Sequence, residues 1–129
     1  MRIVVAPQEF KGSLTAAEAA RAIAAGVRAA LPDAEIVEAP MSDGGPGLVD
    51  AMLAARGGER IETDAHDPLM RPVRAAWAIL DGPGANAGER TAAIEMAAAS
   101  GLVLLRPDAR EPRVATTYGT GDLIGAALD

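Results

Sequence analysis

Between Arg2 and Pro40 the chain reads RIVVAPQEFKGSLTAAEAARAIAAGVRAALPDAEIVEAP. It opens on a β-branched apolar run, Arg2 to Ala6, closed by Pro7. Runs of this kind are typical of buried strands in parallel sheets. Thr15-Ala16-Ala17-Glu18 then sets a hydroxyl at an N-cap and a carboxylate three residues on, the capping-box pattern that starts a helix. Ala20, Ile23, Val27 and Leu31 recur at helical spacing and predict its buried stripe. Pro32 stops the helix. Ala34 to Pro40, centred on Ile36 and Val37, reads as a second strand. A β-α-β unit follows, and with it an α/β fold built on a layered, mixed or parallel sheet.

Beyond Pro40 strand and helix signals keep alternating. Ser42-Asp43-Gly44-Gly45-Pro46-Gly47 is a glycine-rich loop, followed by a short helix with Leu48, Met52 and Leu53 on one side. Gly57-Gly58 ends that helix. Glu59 to Ala65 and Val73 to Leu80 are strand candidates; in the second, Val73, Ala75, Trp77 and Ile79 occupy alternate positions. Asp81 to Gly88 is turn-rich and expected on the surface. Thr91 to Met96 is a further apolar strand, Ala97 to Ser100 begins a helical turn, and Pro107 and Pro112 bracket a polar loop. Thr116 to Asp122 opens a last helix with Leu123, Ile124, Ala127 and Leu128 as its apolar residues. No repeat or internal boundary stands out in residues 1–129.

The 129 residues allow one domain with a real core. Aromatic residues make up 2% of the chain, so that core must come from Ala, Val, Leu, Ile and Met. Net charge is -6 with no Lys/Arg stripe, which argues against a nucleic-acid partner. The chain has no cysteine and one histidine, His66, which excludes disulfides, Cys-based metal sites and His clusters. No run is long and apolar enough to span a bilayer, and the N-terminus is too short and strand-like for a signal peptide, so a cytoplasmic soluble protein is expected.

Lys11 is the only lysine among 12 basic residues. It lies beside Gly12 and Ser13, just ahead of a helix start. Asp43-Gly44-Gly45-Pro46-Gly47 and Thr116-Thr117-Tyr118-Gly119-Thr120-Gly121 repeat the design of small residues before a helix. Free N–H groups and the helix dipole there attract anions, and glycine allows close approach. Lysine adds a mobile charge; serine and threonine add hydroxyls. None of the three is a Walker A or dinucleotide signature. Singly, each is ordinary turn chemistry. His66 reads as a surface or turn residue, Trp77 as sheet packing, and Met41, Met52, Met70 and Met96 as core fillers. Strand alternation points Glu95 toward solvent; burial would instead make it a site candidate.

Four words taken together carry more. Phe10-Lys11-Gly12-Ser13-Leu14, Asp43-Gly44-Gly45, Ile94-Glu95-Met96-Ala97-Ala98-Ala99-Ser100-Gly101-Leu102 and Thr116-Thr117-Tyr118-Gly119-Thr120-Gly121 resemble, in order and spacing, the N-terminal part of type 1 glycerate kinases. The resemblance implies part of a two-domain α/β kinase that moves the γ-phosphate of ATP to a hydroxyl of D-glycerate, with Mg2+. It implies Lys11 as an anion contact with Gly12 and Ser13. Asp43, with Gly44 and Gly45, would orient the substrate hydroxyl, act as base or bind magnesium. Thr117, Gly119, Thr120 and Gly121 would supply hydroxyls and N–H groups, and Glu95 would orient one of these loops. Two places depart from the family: Gln8-Glu9 stands where it usually has Asp-Ser, and Pro46-Gly47-Leu48 where it usually has Glu-Gly-Thr. The chain is also short for such a kinase, so a truncated N-terminal portion is expected, with self-association or a missing C-terminal portion to cover its apolar last helix. The alternatives are a non-catalytic anion-binding module and an inactive remnant of the family.

Overall fold

The computed structural model describes residues 1–82 and 89–129. Residues 83–88, most of the expected turn-rich stretch, lie outside the described residues.

The β-α-β unit forms. β1 (Arg2–Val5) pairs in parallel with β2 (Glu35–Glu38), with Ile3 opposite Ile36 and Val4 opposite Val37. α1 (Ala16–Ala30) makes the crossover. Its start is the predicted capping box: Glu18 N–H donates to Thr15 Oγ1 at 3.2 Å, and Thr15 N–H donates to Glu18 Oε2 at 2.8 Å. The buried face differs from the predicted stripe. Ala19, Ala20 and Ala24 are buried, whereas Ile23 and Leu31 are exposed. Small residues let the helix sit close to two short strands, and the bulkier Ile23 falls on the flank. β1 is covered on one face only: Val5 is buried and Val4 is 61% exposed.

The remaining strands form a second, separate sheet. β3 (Gly58–His66), β4 (Pro72–Leu80) and β5 (Thr91–Ile94) follow one another in an antiparallel meander. The link between β3 and β4 is too short for a parallel crossover, which needs a dozen residues or more. The fold is therefore mixed α/β with one parallel and one antiparallel sheet.

Both faces of β4 are covered. On one, Ala75 and Trp77 join Ala65 of β3, Ala99 of α3 (Ala97–Ser100) and Leu123 of α4 (Tyr118–Leu128). Trp77 is sheet packing as expected, and its Nε1–H donates to Thr63 Oγ1 at 3.0 Å. On the other face, Ala78, Leu80 and Ala93 meet Val49 of α2 (Leu48–Arg56), with Met52 and Leu53 alongside. Alternation thus places apolar side chains on both sides of β4, and a helical layer covers each. Met52 is the methionine that fills core; Met41, Met70 and Met96 are exposed. No helix among the described residues is long and apolar enough to cross a membrane.

Candidate functional site

The Lys11 loop is a tight turn set ahead of the helix, not the helix start itself. Phe10 and Leu14 pair across it, Phe10 N–H donating to Leu14 O at 2.9 Å. Ser13 N–H and Ser13 Oγ both donate to Phe10 O, at 2.9 and 3.0 Å. Ser13 is therefore spent on the turn, and Lys11 stands exposed beside Gly12 at its tip. In the first turn of α1, Glu18 N–H is capped by Thr15 Oγ1, and the Glu18 carboxylate accepts Thr15 N–H in return. A cleft of about 340 Å³ joins this region to α2; Glu9, Thr15, Pro46, Gly47 and Asp50 line it.

The Asp43 loop is held from within and from afar. Asp43 Oδ1 accepts Gly45 N–H at 3.0 Å, and Ser42 Oγ accepts Gly44 N–H at 3.2 Å. Asp43 itself is exposed. Gly47 is the N-cap of α2 at φ 90°, a left-handed conformation that glycine adopts at little cost. It brings no capping side chain, and its own N–H donates to Glu95 Oε2 at 2.9 Å. The expectation that Glu95 points to water is thus corrected. β5 stops at Ile94, so alternation no longer governs the next residue, and Glu95 is half-buried against α2.

The third segment is anchored at the opposite layer. Thr116 N–H donates to Pro68 O at 2.9 Å, and Tyr118 N–H to Thr116 Oγ1 at 3.1 Å. Thr117 occupies the N-cap position of α4 without making a side-chain cap bond. Gly119 packs so tightly on β3 that an added Cβ would lie 1.8 Å from His66 O. Thr120 Oγ1 lies 2.7 Å from Ser100 Oγ at the end of α3. Gly121 is exposed.

Three groups escaped the sequence reading. Asp122 Oδ2 accepts both His66 N–H, at 3.0 Å, and the His66 ring Nδ1, at 2.8 Å. The Tyr118 ring meets that imidazole edge-on at 5.6 Å. His66 is thus a half-buried strand end tied to α4, not a surface turn residue. Asp67 is 5% exposed, with Oδ1 accepting Leu69 and Arg71 N–H and Oδ2 accepting Arg71 Nε at 2.6 Å. Burial pushes its carboxyl up, but the Arg71 and Leu69 hydrogen bonds outweigh burial and hold it below the ordinary aspartate value. His66 and Asp122 are 56 residues apart, so no local pattern signals them; the lone histidine was the one available hint.

β3 and β5 run the same way on either side of β4, and Glu95–Ser100, which follows β5, links two of the other words, one on each face of the sheet. Glu95 touches the Asp43–Gly47 loop, and Ser100 touches Thr120. Lys11 stands apart, on the loop between β1 and α1. These loops carry hydroxyls and the exposed Asp43 carboxylate, and the β1–α1 loop carries the exposed Lys11 ammonium, groups suited to a small anion bearing hydroxyls. No group of three or more potential metal-ligating side chains occurs among the described residues. Asp43 offers one carboxylate, which fits magnesium only in the mode where substrate phosphates and water complete the shell.

The profile described as the glycerate kinase family matches residues 3–129. The glycerate kinase of Bacillus subtilis (strain 168) is 49% identical over 129 residues, and the glycerate 2-kinase of Escherichia coli (strain K12) is 47% identical over 129. The chain is covered in full by each and spans 32% of their length. A solved structure described as a glycerate kinase 2, from Salmonella typhimurium LT2, superposes with a TM-score of 0.74 at 42% identity. It covers 100% of the chain, which spans 33% of it.

Proposed function

Because the chain belongs to the glycerate kinase family, we propose that it supplies the substrate-side loops of an ATP-dependent kinase acting on D-glycerate. The observation that supports this reading is that Glu95–Ser100 bridges the other two segments, Glu95 accepting Gly47 N–H and Ser100 Oγ lying against Thr120 Oγ1. In this reading Thr117, Gly119, Thr120 and Gly121 present hydroxyl and N–H donors to the glycerate carboxylate or to a phosphate. Gly12 shapes the turn that carries Lys11, and Lys11 reaches the anion from that turn. Asp43, placed by the Gly44-Gly45 turn, receives the hydroxyl proton or orients that hydroxyl. Magnesium, when bound with ATP, neutralises phosphate charge; phosphoryl transfer is chiefly positioning and charge stabilisation. The protein is cytoplasmic in this reading, one third of a two-domain kinase. Its exposed Val4, Val103 and Leu128 support a further layer, from a second copy or from the rest of such a kinase.

A second reading has its own support. Gln8 and Pro46 remove carboxylates that the family usually has, and Pro46 removes an N–H donor. These favour a module that binds the anion without turning it over. Calorimetric titration with D-glycerate, beside an assay of D-glycerate-dependent ADP release from Mg-ATP, separates the two. Saturable binding weakened at least about tenfold in Lys11→Met is expected, since a charged hydrogen bond is lost. ADP release in addition selects the kinase; binding alone selects the module. No binding by the folded chain sinks both.

A further inference from the structure

Glu95 to Ser100 touches both helical layers flanking the antiparallel sheet. At its start the Glu95 carboxylate holds Gly47 N–H on the α2 side. At its end Ser100 Oγ meets Thr120 Oγ1 on the α4 side. Between them Ala99 is fully buried, 3.2 Å from the Cβ position of Gly119. The segment is wedged, so the two hydroxyls are held together by packing and not only by their own attraction.

Two hydroxyls 2.7 Å apart share one proton and keep one O–H free. Thr120 lies in the first turn of α4, where the helix dipole favours negative charge. We infer that Ser100 is a positioning residue for Thr120: Ser100 donates to Thr120 Oγ1, which turns the Thr120 proton toward an anionic oxygen of the ligand. Donating and accepting at one oxygen strengthen each other, so the relay makes Thr120 a better donor than a lone hydroxyl. Glu95 fixes the other end of the same brace. The inference rests on the reading of Thr116–Gly121 as an anion site and adds Ser100 to it.

Amide hydrogen exchange, followed by NMR in the intact 129-residue chain with and without D-glycerate, tests this. In Ser100→Ala, exchange at residues 119–122 should quicken about tenfold while the β3 and β4 amides hold their wild-type rates, the scale expected for one neutral hydrogen bond. The D-glycerate dissociation constant should rise about tenfold, and Ser100→Thr should restore both. Unchanged exchange at 119–122, faster exchange spread evenly through the sheet, or no recovery in Ser100→Thr would each overturn the role. If the wild-type chain shows no glycerate-dependent shifts, the anion-site reading fails on its own, and exchange at 119–122 still decides whether Ser100 positions Thr120.

Discussion

Asp67 is the buried charged residue among those described, and its surroundings set a pH dependence. Its carboxyl is held below the ordinary aspartate value by hydrogen bonds that outweigh burial. A depressed carboxyl contributes stability that is fully present above its unfolded value, about pH 4, and is lost as pH falls through the folded value. Urea melts from pH 7 down to pH 2 should therefore show an acid limb below about pH 4 that is shallower in Asp67→Asn. The substitution should cost about 2 kcal/mol at pH 7, mostly from donors left imperfectly paired. Arg71 is half exposed, so its ion pair adds little beyond the hydrogen bonds. An equally steep limb in the variant would refute this assignment. Neither this turn nor the Glu95 bond was legible in the sequence, because each depends on where the chain returns. Glu95 could be flagged as an acid in an apolar run, yet its partner Gly47 is 48 residues away.

Local elements were easier to read, since their signals lie within one or two turns of chain. The Thr15–Glu18 capping box was written out in sequence and forms as expected. The burial of α1 was not, because helical spacing alone does not choose between Ile23 and Ala24. An alanine face buries little apolar area per residue. α1 therefore leans on its cap more than a leucine-faced helix would. Thr15→Ala should lower stability by about 1 kcal/mol, and Thr15→Ser by much less. Thermal melts followed at 222 nm measure both. If Thr15→Ala melts with the wild type, the cap is redundant and tertiary contacts hold the first turn.

Pairing of elements into sheets is a property of the whole molecule, and here the sequence was read only in part. A crossover through α1 made β1 and β2 parallel, as expected. The short link from His66 to Pro72 could have announced an antiparallel pair, but the division into two sheets rests on contacts no local pattern encodes. Parallel strands are ordinarily covered on both faces. In this chain α1 covers one, and Val4 on the other is 61% exposed; Leu128 at the end of α4 is 83% exposed. Such surfaces drive association, while a net charge of -6 opposes it. The two forces respond oppositely to salt: screening removes the repulsion, and apolar burial persists or strengthens in sulfate. Sedimentation velocity should thus find a self-associated fraction that grows as sodium sulfate is added. Val4→Thr, which keeps the β-branched shape, should reduce it, and Leu128→Gln combined with it should reduce it further. Association that weakens with salt would mean that ion pairs hold the copies together, and that the open face of β1 is not the contact.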